Sequence, residues 1–256
     1  MGLKDFFGGG KKKEELREKA KDVVTEDGKL TPNTTAKLKA FAEENAADLA
    51  DDKTMMRRDI YNKAVGMAKS RGKLSEGEAA ELAKMQKFLA LRDDQVEKTK
   101  FDLARLRTVT DIRSGTLPTV AAANVALRGV PFDPGEIAHY SLQVDIQDRP
   151  SASGMPGVPV RWATPYTPNS ARAHTLPGDG ARDLGDGYLI FTNKRLVLRP
   201  SQGKLAAVAY APEANLYLYG DGLRIERTVG NTILRFKSKS DGTAEIVGEL
   251  LAALMR

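Results

Sequence analysis

Residues 187–198 read Gly-Tyr-Leu-Ile-Phe-Thr-Asn-Lys-Arg-Leu-Val-Leu, and they set the class of the C-terminal half. Tyr188–Phe191 and Leu196–Leu198 are apolar, aromatic or β-branched, the composition of short strands. Between them, Thr192-Asn193-Lys194-Arg195 supplies four turn residues, and Asn193 tolerates the positive φ that a tight hairpin needs. Successive strand side chains point to opposite faces. Leu189 and Phe191 therefore share one face, as do Leu196 and Leu198. The stretch specifies architecture and carries no catalytic constellation.

Short apolar runs continue on both sides. Downstream, Leu205–Tyr210, Leu216–Tyr219, Leu223–Thr228 and Thr232–Phe236 read as strands. Gly220-Asp221-Gly222 and Val229-Gly230-Asn231 read as hairpin turns. The last segment, Thr243–Met255, places Val247, Leu250, Leu251 and Leu254 on one helical face. Upstream, Ile137–Ile146 alternates as a first strand. Residues 147–186 form a long Pro/Gly-rich connection, interrupted by Val158–Ala163 as a second strand. Connections of that length are functional or disordered.

The run Gly187, Leu189, Phe191, Thr192, Asn193, Lys194, Arg195, Leu196 resembles the central segment of bacterial PH-like domains, the superfold shared with GRAM domains. The resemblance extends over about residues 137–256. It implies a seven-stranded, strongly bent antiparallel sheet closed by one C-terminal helix, and binding to lipid or protein rather than catalysis.

From Glu14 to Arg113 the period is helical, with five helices expected near 13–25, 32–50, 54–70, 76–91 and 94–113. Leu38, Phe41, Ala42 and Leu49 form one apolar stripe, Leu82, Met85 and Leu89 a second, and Leu103, Leu106 and Val109 a third. Thr31-Pro32 and Ser75-Glu76 read as helix starts, a hydroxyl cap followed by Pro or Glu. Gly28-Lys29-Leu30-Thr31 recurs 44 residues later as Gly72-Lys73-Leu74-Ser75, and Ala20/Ala64, Ala36/Ala80 and Leu38/Leu82 keep the register. Two helix-loop-helix units with paired loops invite a test for calcium. With each Gly at loop position six, the ligand positions fall on Val23, Thr25 and Thr34 in the first loop. In the second they fall on Met67, Lys69, Arg71 and Glu78. One carboxylate does not make a calcium loop, so the repeat reads as a structural pairing device.

This array, with its loops followed by Thr/Ser-x-x-Glu-like starts, resembles the TerB-like helical family linked to tellurite resistance and stress response. Members of that family carry acidic metal-contacting residues. Here the tight carboxylate pairs are Asp51-Asp52 and Asp93-Asp94, both at expected helix starts, where Asp compensates the helix dipole.

Composition narrows the rest. The chain has 256 residues, enough for two domains, and no Cys, which removes disulfides, thiolate metal sites and cysteine catalysis. This is compatible with a reducing cytoplasm. No apolar run reaches the roughly 18 residues of a membrane span, and no secretory signal is expected at the N-terminus. A net charge of +6 with interspersed acids disfavours a dedicated nucleic-acid binder, which concentrates its basic residues on one element. No nucleophile elbow, Walker loop or HExxH is present. His139 reads as structural, His174 as solvated, and Trp162 as a core residue.

Two groups remain as candidate contacts. Residues 1–13 form a tail in which Leu3, Phe6 and Phe7 share one helical face, Gly8-Gly9-Gly10 would stop that helix, and Lys11, Lys12 and Lys13 follow. Three apolar side chains at about 1.5–3 kcal/mol each and three lysines at about 1 kcal/mol each nearly cancel against ordering the segment at about 1–2 kcal/mol per residue. Contact with anionic membranes is expected to be marginal, and a plain solvated tail is the simpler reading. The second group is a binding patch of Lys194, Arg195, Arg199 and Lys204. Arg224, Arg227, Arg235, Lys237 and Lys239 line later strands, where outward charge is ordinary.

The expected fold class is α+β: an all-helical array with two helix-GKL(T/S)-helix repeats, then a PH-like antiparallel β-barrel or sandwich closed by a C-terminal helix. The expected divisions are a flexible tail 1–13, a helical domain 14–113, a linker 114–136 whose stretch Val120–Leu127 is apolar enough to pack, and a PH-like domain 137–256. The expected role is a non-enzymatic adaptor or scaffold, membrane-peripheral or stress-related, in the cytoplasm or at the inner face of its membrane. It is expected to have a protein partner and no cofactor or metal. The alternatives are a nucleic-acid-associated basic stress protein and, less favoured, a metal-dependent enzyme assembled from distant carboxylates.

Overall fold

The computed structural model describes residues 4–45, 56–150, 157–160, 174–176, 180–212, 214–227, 230–237 and 242–256, with side chains from residue 14 onward. The chain divides into two compact units, Met1–Thr110 and Asp111–Arg256.

Unit 1 is helical: α1 (Lys4–Thr25), α2 (Thr34–Glu44), α3 (Met56–Arg71), α4 (Glu76–Phe88) and α5 (Glu97–Arg113), the last preceded by a 3-10 turn at Asp93–Gln95. The apolar stripes do what their spacing requires: Leu38, Leu82, Met85, Leu89 and Leu106 are buried in one cluster with Ile60, Tyr61 and Val65. Leu49, Asp51 and Asp52 lie outside the described residues. Two starts differ from expectation. Helix α1 runs through Gly8–Gly10 where the triplet was expected to stop it. Glycine weakens a helix by about 1 kcal/mol relative to alanine, yet unlike proline it keeps its N–H in the ladder. Helix α2 begins at Thr34, with Asn33 at the cap position and no side-chain cap bond. Thr34 Oγ1 instead accepts the Thr31 N–H at 2.9 Å.

The repeat is three-dimensional. Gly28 and Gly72 have φ of +63° and +62°, and an added Cβ would meet nothing within 4 Å at either. Backbone conformation, not crowding, selects glycine there. Leu30 and Leu74 follow into the common core. The Ser75 N–H donates to Glu78 Oε2 at 2.9 Å, matching the Thr31–Thr34 bond 44 residues earlier. Ser75 and Glu78 form the full reciprocal capping box at the start of α4. Glu81 of α4 accepts the Thr35 N–H at 2.7 Å, tying the second repeat to the first turn of α2.

Among its described residues unit 2 is an antiparallel sheet of eight strands: β1 (Ala138–Arg149), β2 (Val158–Val160), β3 (Arg182–Thr192), β4 (Arg195–Pro200), β5 (Ala206–Ala209), β6 (Leu216–Tyr219), β7 (Gly222–Glu226) and β8 (Asn231–Phe236), followed by helix α6 (Thr243–Leu254). The order is β2-β6-β7-β8-β1-β3-β4-β5. The sheet is open, which corrects the closed barrel expected above. Its edges are β2, whose central Pro159 has no N–H to extend a ladder, and β5, only four residues long. The Gly185-Asp186-Gly187 stretch lies inside β3, at a shift of register against β1. A Cβ on Gly187 would sit 2.5 Å from the Arg199 carbonyl oxygen.

One face of the sheet buries Val144, Leu189, Phe191, Leu218 and Leu234 against Val247, Leu251 and Met255 of the α6 segment. Residues 114–136 do not float as a linker. Ala126 and Val130 pack with Ala138, Ile190 and Val197, and the Val120 N–H donates to the Ala138 carbonyl at 2.8 Å. The apolar residues set among the helix breakers give this strap a face to bury.

Candidate binding surface

The hairpin turn was expected to present Lys194 and Arg195 to a ligand. Its geometry assigns them other partners. Strands β3 and β4 pair through Phe191 and Leu196, and Asn193-Lys194 forms the turn. Asn193 does not adopt positive φ; among the described non-glycine residues only Ala90 does. Its amide instead reaches back to the strap: Oδ1 accepts the Ile137 N–H at 2.8 Å, and Nδ2 donates to the Gly135 carbonyl at 3.0 Å. Lys194 Nζ donates to the Pro134 carbonyl at 2.8 Å. Arg195 grips Glu136 through Nε and Nη2, both at 3.0 Å, and donates to the Pro131 carbonyl at 2.7 Å. Thr192 Oγ1 accepts the Lys194 and Arg195 N–H groups and lies 2.7 Å from Glu136 Oε1. Burial alone would raise the Glu136 pKa, but the Arg195 guanidinium, the Asp133 N–H and the Thr192 hydroxyl together hold it below its ordinary value. Arg199 lies 4.9 Å from the Tyr188 ring centre and donates to the Arg128 carbonyl at 2.7 Å. Three of the four expected patch residues thus fasten residues 128–137 to the sheet.

Lys204 is the fourth, and it is exposed. It lines a cleft of about 490 Å³ together with Arg227, Asp148, Leu184, Leu198 and Ala206. The cleft sits where β1 and β4 end and β5 begins, away from the Thr192–Arg195 turn. Leu184 is 47% exposed there. Lys204 and Arg227 make no ion pair among the described residues. The cleft therefore offers two free cations, one carboxylate and an uncovered leucine. In the sequence Lys204 stands with the basic run after the hairpin, while Arg227 and Leu184 look like an ordinary strand residue and an ordinary loop residue. Only the topology brings residues 148, 184, 204 and 227 together.

The other candidates have local work. Glu78, the one proper oxygen ligand in either GKL loop, accepts from Ser75 N–H at 2.9 Å and Ser75 Oγ at 2.8 Å, and pairs with Arg71. Burial opposes its charge, but these donors hold its pKa below the ordinary value. Asp93 pairs with Lys100 and Asp94 with Arg92. His139 Nδ1 lies 2.7 Å from the Pro118 carbonyl oxygen, a structural contact to the strap. Arg235 pairs with Asp221, and Lys237 with Asp145 and Asp186. Arg224, read as an outward strand residue, is buried. Lys239, Trp162 and Leu3 lie outside the described residues, as do the side chains of Phe6, Phe7, Lys11, Lys12 and Lys13. Among the described residues no three His, Asp or Glu side chains gather as metal ligands, and no helix is long and apolar enough to cross a membrane. No protein-family model and no curated protein matches this chain.

Proposed function

We propose that this chain is a non-enzymatic adaptor whose C-terminal unit holds an extended, acidic segment of a partner protein in the Lys204–Arg227 cleft. The observation that carries this reading is Leu184, 47% exposed, in one cleft with Lys204 and Arg227, two cations against one carboxylate, Asp148, and neither of them ion-paired among the described residues. An apolar contact flanked by unpaired positive charge suits a peptide with carboxylates around an aliphatic residue. The neighbouring edge supports the extended form. Ala206 lines the cleft and begins β5, whose outer side is unpaired among the described residues and carries neither charge nor proline. Edges of this kind accept a further strand through main-chain hydrogen bonds. Short antiparallel strands followed by one C-terminal helix are the element order that the PH-like resemblance implies, and the bias toward binding comes from that resemblance. In this reading the helical unit is the second module of the scaffold.

Peptide and membrane readings separate in one comparison. The intact chain is offered a display library of random extended peptides and, in parallel, vesicles rich in anionic lipid. The adaptor reading expects enrichment of acidic peptides with an aliphatic centre and weak, salt-sensitive vesicle binding. Vesicle binding without peptide enrichment, or neither, contradicts it.

A further inference from the structure

The opposite face of the same sheet carries a second arrangement of charge. Ile146, Asp148 and Thr232 line the cleft, so by alternation Arg149 and Asn231 face the other way. Arg149 stands opposite Asn231 in the β1–β8 register, and Arg224 stands opposite Tyr217 in the β6–β7 register. On this face Arg224 is 4% exposed. Its guanidinium lies 3.8 Å over the Tyr217 ring centre. Nε donates to the Tyr219 hydroxyl at 3.3 Å, and Nη1 donates to Asn231 Oδ1 at 3.2 Å. Asn231 Nδ2 in turn donates to the Arg149 carbonyl at 3.4 Å. Arg149 Nη1 is buried and has no hydrogen-bond partner among the described residues.

Tyr217, Tyr219 and Asn231, which hold the Arg224 guanidinium, are neutral, while Arg149 is half-buried and contributes a buried Nη1 without a hydrogen bond among the described residues. Among the described residues neither arginine forms an ion pair, including with Glu226, two residues along the same face of β7. A buried charge is ordinarily paired, because removing it from water is costly and neutral acceptors do not cancel it. The aromatic stack and the asparagine hold the Arg224 fork in a fixed plane, which is the pre-organisation that recognises a planar or tetrahedral oxyanion.

We propose that Arg224 and Arg149, framed by Asn231 and the Tyr219 hydroxyl, form an oxyanion site that takes a phosphate group. The site is distinct from the Lys204–Arg227 cleft and lies on the other side of the sheet. The missing counter-charge is what the ligand supplies.

The test is calorimetric titration of the intact chain with inorganic phosphate at constant ionic strength, chloride being exchanged for phosphate. The expected result is saturable one-to-one binding, accompanied by a rise in Tm with phosphate concentration. Arg149→Met weakens it by about tenfold or more, as loss of a charge-assisted donor should. Arg224→Lys, which keeps the charge but not the fork, also weakens it. Lys204→Glu/Arg227→Glu leaves it unchanged, which separates this site from the cleft. Titration with O-phosphoserine distinguishes the source: tighter binding than inorganic phosphate assigns a phosphomonoester, weaker binding assigns free phosphate. If Arg224→Lys fails to fold, Arg149→Met and Asn231→Ala carry the decision. Absence of saturation, equal binding by wild type and Arg149→Met, or loss of binding in the cleft variant overturns the proposal.

Discussion

Replacing Arg195 with Met tests whether the Thr192–Arg195 turn is a fastener. The substitution removes two charge-assisted bonds to Glu136 at 3.0 Å and one to the Pro131 carbonyl at 2.7 Å. The Glu136 side chain is fully buried and Arg195 is 25% exposed. The carboxylate left behind keeps only the Thr192 hydroxyl and the Asp133 N–H. Removing one member of a buried pair costs about 3–5 kcal/mol. Water reaching the vacated, partly exposed position recovers some of that, so the lower end, about 3 kcal/mol, is expected. For a unit of roughly 150 residues this lowers Tm by about 6–12 °C. Lys194→Met removes one exposed bond to Pro134 and should cost no more than about 1 kcal/mol. Calorimetric melting gives the totals. Hydrogen–deuterium exchange over residues 118–137 locates the effect, since the strap amides should lose protection in Arg195→Met and keep it in Lys194→Met. Equal small losses for both variants, with the strap still protected, would refute the fastener.

Three further outcomes follow from the same geometry. Gly28→Ala and Gly72→Ala each force a Cβ into the left-handed region and should cost about 1–2 kcal/mol by urea unfolding; because the two loops share one conformation, the costs should match, and Asn at either position should cost less. Ser75→Ala breaks the capping box of α4 and should lower stability by about 1 kcal/mol, read from the helical circular dichroism signal. Glu78 and Glu136 both have folded pKa values held below 4.5, so the folded state binds fewer protons than the unfolded chain in that range. Their stabilisation is complete above the ordinary carboxylate pKa and is lost as pH falls through the depressed values. The urea midpoint should therefore fall with acidification below about pH 4.5, and less steeply in Glu136→Gln.

Local order was legible because its signals are local. Leu216–Tyr219 is a strand at the residues its composition marks, and Val247, Leu250 and Leu251 fix the buried face of α6. The GKL loops were legible as a pair, since left-handed glycine, buried leucine and i to i+3 bond all recur at one spacing. Closure of the sheet was not legible, because it depends on whether two edges meet, and Pro159 in β2 and the brevity of β5 speak only once the strand order is known. The role of the turn was hidden for a similar reason. Lys194 and Arg195 look like free cations until Pro131, Pro134 and Glu136 arrive from some sixty residues upstream. Arg224 is the sharpest case. Its neighbours in sequence suggest an outward charge, while its cross-strand neighbours Tyr217 and Asn231 make it a buried one.

The division of labour between the basic residues is tested most directly by titrating one selected acidic peptide into three forms of the intact chain, wild type, Lys194→Glu and Lys204→Glu/Arg227→Glu, each shown by its melting curve to be folded. The account predicts that Lys194→Glu binds as wild type does and that the double variant loses binding by about a hundredfold or more, two reversed charges each contributing on the order of 1.4 kcal/mol or above. Equal binding by all three chains, or loss in Lys194→Glu alone, would contradict it.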